Sequence, residues 1–410
     1  MCWWGGTAFS LVGSNVSAIA FPLLVVFSTG SVFGAGVIAA AGRVGSLVTV
    51  LWGGALADRI SRRLILVSMP LAQALIMGLV AWSVQRGHVQ IPLLAGAATA
   101  NGLLSGIGSG ATLPALRRIV PREQFAARAA QEQGLQQATQ LVGSPLAAFL
   151  YTAARSLPFA ADSLSYLFAS AGSALIRRPL GPDRPAYDGS GPAHGRHRAG
   201  RARMLADIRD GLRVVRGQPF LRYMTIWIAG VNMVGNSLVL LLIILLKNKG
   251  AAPRTIGLIN SVVLAGGILG ALVTSALIRT IGSRRVFLLG GWIYVITLAA
   301  AALGTRQWQI AAAASLFVFA SVPTASVCEA YTASLVPDRL IGRVGSVSNF
   351  AAQSLTWVGM LLAGWLADQF GAAAAALCFA GLLVPFAIAG HTVSALSLLR
   401  TPLERVEELP

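Results

Sequence analysis

Residues Gly54–Leu66 read G-A-L-A-D-R-I-S-R-R-L-I-L. An apolar stretch runs up to Ala57. One acid and three arginines follow within six residues, at Asp58, Arg59, Arg62 and Arg63, and a second apolar stretch begins at Leu64. Charge of that density does not stay in hydrocarbon, where each ionised side chain costs roughly 2.5–3.5 kcal/mol at the bilayer centre. The stretch is therefore a very tight turn between two membrane-spanning helices, at a basic membrane surface. As a bare basic turn it is a topology signal. The acid inside the basic run, and an altered copy half a chain later, point to more than topology.

The same pattern extends outward over the whole chain. Of 410 residues 55% are hydrophobic and 11% charged, with mean hydropathy +0.70. Soluble domains carry about 25% charged residues. Apolar stretches of membrane length recur from end to end, which defines an all-α polytopic membrane protein. The short alternating segments of a transmembrane barrel are absent. The net charge of +18 raises the possibility of a nucleic-acid partner, but its distribution argues against one. Of 32 Lys and Arg, 25 fall in alternate loops and at the C-terminus; Arg86, Arg155, Lys247, Lys249, Arg254 and Arg306 fall in the opposite loops, and Arg43 lies within a span. That bias places the arginine-rich loops and both termini in the cytoplasm, against an anionic inner leaflet. The expected location is the bacterial inner membrane, and the expected state a monomer. Cys2, Cys328 and Cys378 are isolated and offer neither a disulfide framework nor metal-ligand spacing. The first apolar stretch begins almost at Met1 without a basic leader, so a truncated start is expected rather than a signal peptide.

The spans follow in order at roughly 3–27, 32–57, 64–84, 91–116, 125–150, 157–176, 221–246, 256–278, 286–303, 308–333, 344–368 and 372–398. Span 4 is rich in Gly and Ser, which permits close helix packing. Span 5 opens with Arg128, Gln131, Glu132, Gln133, Gln136, Gln137 and Gln140, so one of its faces lines water or protein. Residues 177–203, rich in Arg, Gly and Pro, read as a linker between two halves; His194 and His197 lie in it without acid or Cys partners, and no metal site is expected. Residues 204–216 place Leu205, Ile208, Leu212 and Val215 on one helical face, as in a short helix lying on the inner leaflet. The tail 399–410 is short and charged.

The two halves repeat. With an offset of 216 residues, Val120–Leu150 overlays Val336–Leu366 with eight identities in 31 positions, among them Pro121/Pro337, Gln137/Gln353 and Gly143/Gly359. An offset of 217 pairs Gly13-Ser14-Asn15 with Gly230-Val231-Asn232. An offset of 221 lays the opening stretch on Ser275–Phe287, S-A-L-I-R-T-I-G-S-R-R-V-F; Arg63 meets Arg284, but Asp58 meets Arg279.

G-x-L-A-D-R-x-x-R-R after span 2 resembles the signature loop of the major facilitator superfamily, and the twelve spans in two pseudo-symmetric six-helix halves agree with it. The strings at 13–25 (G-S-N-V-S-A-I-A-F-P-L-L-V), 161–168 (A-D-S-L-S-Y-L-F), 210–216 (D-G-L-R-V-V-R) and 336–344 (V-P-D-R-L-I-G-R-V) are similar to the branch containing macrolide-efflux proteins and the enterobactin exporter. Three positions depart from the family pattern: Ser61 stands where the loop usually has Gly, span 5 has S-P-L-A-A-F at 144–149 in place of the antiporter motif, and span 4 lacks its usual Arg.

The resemblance implies that the loop gates the cytoplasmic side. Gly54, Asp58, Arg59, Arg62, Arg63, Arg279, Arg284 and Arg343 are the gating candidates. Asp58 would accept hydrogen bonds at the start of span 11, around Gly342–Gly345, with the arginines anchored on the inner leaflet; a carboxylate at a helix N-terminus gains roughly 0.3–1 kcal/mol. Charges inside spans are functional candidates by default. Arg43 and Asp162 lie at similar depth and suit either a buried ion pair or, for Asp162, proton uptake or ligand contact. Glu132 sits four residues after Arg128 on one face, which suits a local pair. Glu329 reads either as a buried titrating acid or as a residue reaching water. Asn15, Asn232, Gln136, Gln140, Gln353 and Trp357 are candidate ligand contacts, with helix–helix hydrogen bonding as the alternative for each. No nucleophile motif, metal cluster or phosphate loop suggests an enzyme, and no cofactor is implied. The expectation is a proton-driven exporter of amphiphilic small molecules such as macrolides, other natural products or siderophores. An importer or uniporter of the same fold, and a transport-inactive receptor or scaffold, are the alternatives.

Overall fold

The computed structural model describes residues 2–57, 61–119, 125–175, 209 and 211–401. They form α1 (Cys2–Ser28), α2 (Val32–Ala57), α3 (Arg62–Gln85), α4 (Ile91–Ile119), α5 (Phe125–Ala153), α6 (Leu157–Ala174), α7 (Pro219–Asn248), α8 (Pro253–Ile281), α9 (Ser283–Leu303), α10 (Gln307–Leu335), α11 (Asp338–Ser354), α12 (Thr356–Phe370) and α13 (Ala372–Thr392). Backbone polar groups in a bilayer must find partners within the chain, and a helix satisfies its own. Ten stretches among the described residues are long and apolar enough to cross a membrane. The fold is the twelve-span, all-α architecture expected.

Three boundaries differ from expectation. Span 11 is two helices, α11 and α12, interrupted at Leu355. The Thr356 hydroxyl donates to the Gln353 carbonyl at 2.8 Å, a local bond that competes with the helical ladder. Span 12 ends at Thr392; a 3-10 helix, Ser394–Arg400, follows and is held where the Tyr331 hydroxyl donates to the Thr401 carbonyl at 2.8 Å. Residues 211–217 are helical, with Val215 buried in protein, so at that position the apolar face is covered by protein and not by lipid. The linker 177–203 lies outside the described residues.

The chain forms two compact units. The first comprises residues 1–185, 239–264 and 360–372; the second 186–238, 265–359 and 373–410. Within the first, α2 lies on α4. A Cβ at Gly45 would fall on the Thr99 carbonyl oxygen, and the Thr49 hydroxyl donates to the Leu103 carbonyl at 2.8 Å. Within the second, α8 lies on α10 in the same way. Cβ atoms at Gly266 and Gly270 would fall on the carbonyl oxygens of Ser315 and Phe319. Gly45 and Gly266 are 221 residues apart, and Thr99 and Ser315 are 216 apart. The sequence repeat is thus a repeat of helix contacts. A second pair agrees. Gly143 packs on Asn15, where a Cβ would stand 2.7 Å from that residue's Cβ, and Gly359 packs on Met233, 2.6 Å from its carbonyl oxygen.

The interiors of the units differ. In the first, polar side chains stitch α3, α4 and α6: Gln73 Nε2 donates to Asn101 Oδ1 at 3.0 Å and to Tyr166 Oη at 3.4 Å. In the second, Trp227 is ringed by Phe287, Tyr294, Phe386 and Tyr223, with centroids 5.2–6.3 Å away.

Gly45→Val is expected to force α2 off α4 and cost about 1–3 kcal/mol, as overpacking does. It should lower the thermal midpoint in detergent, whereas Gly96→Val, with nothing within 4 Å of its Cβ position, should leave it unchanged.

Candidate functional site

Polar side chains on the outer faces of apolar helices are the first functional signal. In the first unit Gln136 and Gln140, one turn apart on α5, are both exposed. Asn15 on α1 is half-buried and already committed: its amide donates to Leu11 O at 2.9 Å and to Thr139 Oγ1 at 3.3 Å, tying α1 to α5. In the second unit Gln353 is exposed at the end of α11, and Trp357 is half-buried at the start of α12, so the helix break separates the two. Asn232 on α7 is half-buried, and its carbonyl accepts from the Asn236 amide at 2.8 Å. Glu329 stands on the exposed face of α10 beside Ala325 and Ala333. It is therefore not a buried carboxyl; the buried neighbour is Cys328.

Asp162 on α6 has no exposed surface. Its Oδ1 accepts from Ser165 Oγ at 3.3 Å, while its Oδ2 has no hydrogen-bond partner. Arg43, on α2, is exposed. The buried ion pair expected between them is not made: Asp162 faces hydroxyls on α1 and α6, whereas α2 packs on α4 and α1.

The turn that opened the sequence is solved differently in its two copies. Ser61 begins α3 with φ −53°, and its hydroxyl accepts from Leu64 N at 3.4 Å. Its counterpart 221 residues on, Gly282, begins α9 at φ +83°, a backbone state that side chains disfavour. Arg63 is not free to lie on lipid: its Nη2 donates to the Ala174 carbonyl at 2.6 Å, a cation on the C-terminus of α6. Arg279 is exposed and Arg284 half-buried, with its Nε lacking a partner. Gly54 lies within α2. Asp58 and Arg59, and the side chains of Arg62, Glu132 and Arg343, lie outside the described residues.

One constellation was not anticipated. In the first unit, the ends of α7 and α8 and the helix α12 close on the N-terminal helices. Lys247 Nζ donates to Val26 O at 2.5 Å and stands 5.1 Å from the Phe27 ring centroid. It caps the C-terminal turn of α1, where a cation meets the negative end of the helix dipole. Asn260 donates to Ser144 Oγ at 2.6 Å, both nearly inaccessible at 7% and 3% exposure. Gly257 lies on Ser144 and Ala148, so the close approach that glycines on α5 would permit is made possible by a glycine on α8. A Cβ at Gly36 would stand 2.7 Å from the Met360 carbonyl oxygen and 3.0 Å from Gly364 Cα. In the sequence these were a loop lysine, a motif departure and scattered glycines. Only the single lysine ending a long apolar stretch hinted at a cap.

Twelve spans in two repeat-related halves, with polar faces and a buried carboxyl, are the architecture of a membrane transporter. The chain matches the Major Facilitator Superfamily over residues 3–245 and again over 225–410, and it belongs to that superfamily of transporters. Similar solved structures include a bacterial homologue of the human lysosomal transporter Spinster, in an inward-facing and occupied conformation (13% identity, 98% of this chain and 97% of that one, TM-score 0.69). Others are a point mutant of the nucleoside transporter NupG (11%, 96% and 99%, 0.67) and a bacterial homologue of the iron transporter ferroportin in an inward-facing state (16%, 93% and 97%, 0.63). At these identities they share the fold. No curated protein matches the chain. Among the described residues no group of three His, Cys, Asp or Glu is placed to hold a metal ion.

Lys247→Met removes the cap and its ring contact, together about 1 kcal/mol. In a protein freed of native cysteines, Ala251→Cys, buried at this end, should then react about fivefold faster with an impermeant thiol reagent. Lys247→Arg should restore most of the protection.

Proposed function

We propose that the protein is a proton-driven exporter of amphiphilic small molecules that works by alternating access. The observation that carries this reading is the set of polar side chains left exposed on apolar spans, Gln136 and Gln140 in one unit and Gln353 and Glu329 in the other. Amides and a carboxylate do not face lipid tails, so each of these faces is read as turned toward water. Mixed amides, Trp357 and apolar side chains suit ligands that are large, weakly polar and partly aromatic. Macrolides, related natural products and siderophores are the classes favoured by the strings similar to that branch.

The arginine bias puts the Ser61 turn on the cytoplasmic side of the inner membrane, with both termini there and anionic lipids beneath the basic loops. The Lys247 end is then the outer gate in its closed form, and Asp58 the latch of the inner gate. A buried carboxylate is costly as a charge and cheap as a neutral acid, so a proton taken up from outside drives the return step. Each charge moved down 100 mV supplies about 2.3 kcal/mol.

In proteoliposomes, an imposed pH gradient is expected to drive uphill movement of a labelled macrolide, with proton flux of opposite sign. Net accumulation of the compound in energised cells would instead establish an importer. Pro145 without its flanking glycines is the feature that favours that second reading. For the latch, Asp58→Asn should slow transport about tenfold with the affinity for ligand little changed. Wild-type turnover in that variant would remove Asp58 from the gate.

A further inference from the structure

The contact between α1 and α6 holds two buried oxygens with nothing to bond. Asp162 Oδ2 and Ser17 Oγ are both inaccessible, and neither has a hydrogen-bond partner, although the Ser17 hydroxyl stands beside the carboxyl. The carboxyl's other oxygen is occupied by Ser165, whose hydroxyl also reaches the Asp162 carbonyl at 2.7 Å. The backbone of α1 presses on this group at Gly13, where a Cβ would fall on Ser165 Oγ and stand 2.6 Å from Asp162 Oδ1. Native structures leave few buried polar atoms unsatisfied, and a carboxyl is the costliest kind to leave so.

Among the described residues, the side chains acting on the carboxyl are the Ser17 and Ser165 hydroxyls, and neither carries a charge. Helices α1, α3 and α5 pack on α6. Between Cys2 and Ser28, α1 carries no charged residue; α3 carries only Arg62 and Arg63, in its first turn, with Arg63 engaged by Ala174. On α5 the ionisable residues are Arg128 and Glu132 near its start and Tyr151 near its end. On α6 itself there is Tyr166, one turn away, which shares a hydrogen bond with Ser14 Oγ at 2.9 Å.

We infer that Asp162 Oδ2 is the exchangeable proton site of the protein, with Ser17 as its hydrogen-bond partner. This rests on the transporter reading above. The step is a proton transfer alone: water on one side gives up a proton, an O–H bond forms at Oδ2, and that bond later breaks to water on the other side. A metal cation is the poorer occupant. Hard cations such as calcium and magnesium gather about six oxygens, and only two here are unengaged.

The placement also couples the proton to ligand. Gly13, Ser14, Asn15 and Ser17 lie within about one turn of α1. The neutral acid lets that turn lie flat on α6, and the ionised one favours separation and entry of water. Movement of the turn carries Asn15 with it, and Asn15 is a candidate ligand contact bonded to Thr139 on α5. Asp162 is thus placed to change the ligand surface without touching ligand.

Infrared titration of the purified protein in lipid tests the assignment without any ligand. A protonated-carboxyl band is expected to bleach as pH rises, to be missing in Asp162→Asn, and to persist in Glu329→Gln. Ser17→Ala, which keeps the carboxyl, should move the midpoint of that band by about one pH unit; it also serves where Asp162→Asn fails to fold. In proteoliposomes, Asp162→Asn should reduce gradient-driven movement of a labelled macrolide to that of protein-free vesicles while exchange without a gradient continues. A band that survives in Asp162→Asn, or a midpoint unmoved by Ser17→Ala, overturns the assignment. So does transport in the wild type that follows a sodium gradient and is lost in Asp162→Asn. If the wild type moves nothing under a pH gradient yet its band titrates and is lost in Asp162→Asn, the transporter reading fails and the proton site stands.

Discussion

Everything in this fold depends on how closely two helix backbones can approach in a solvent that offers them no hydrogen bonds. Lipid gives no hydrophobic force between helices, so association relies on contact between surfaces and on a few polar links. Here the contact is backbone on backbone. Gly45 on Thr99 and Gly266 on Ser315 bring α2 to α4 and α8 to α10 at equivalent heights. The same device recurs where the first unit closes, at Gly36 with Gly364 and at Gly257 on Ala148. Contacts of the first kind hold a half together, and those of the second kind join segments far apart in the chain. Both kinds use glycine and both add polar partners: Thr49 on Leu103 in the first, Lys247 on Val26 and Asn260 on Ser144 in the second.

The two units reach comparable packing by different chemistry. The first is fastened by Gln73, Asn101, Tyr166 and Ser14, and the second by aromatic rings around Trp227. A polar network fixes donor and acceptor positions and so suits the helices that hold a buried carboxyl. An aromatic cluster has no such demand and no charge to serve. The asymmetry places the unbalanced acid, Asp162, in the half whose interior can reorganise hydrogen bonds around it.

The fold was legible because membrane-length apolar runs and the charge between them follow directly from the solvent. The offsets of 216 and 221 were legible too, and the helix contacts bear them out. The break at Leu355 was not: nothing in S-L-T-W at 354–357 is a breaker, and the interruption is accompanied by a threonine hydroxyl bonding back by three residues. The site was half legible. Asp162 stood out as a charge in a span, but its expected pairing with Arg43 is not made, since similar depth in the bilayer says nothing about which side of a helix a residue occupies. Glu329, open in the sequence between a buried acid and one reaching water, stands on an exposed face. The Lys247 clasp was hidden because it joins residues 221 apart, and no local pattern records such a meeting.

Ser61 and Gly282 occupy one position in the two copies of a duplicated turn. One keeps ordinary backbone geometry and caps its helix with a hydroxyl; the other takes φ +83° and needs no cap. The two copies therefore tolerate different histories of substitution. Gly282 is confined to glycine by its backbone, while Ser61 can drift among the short polar residues that cap helices. A duplicated protein whose halves must stay matched in shape is thus free to diverge in chemistry at the very turns that define its symmetry. Residue identity between the halves can fall at such turns without any loss of correspondence between the helices they join.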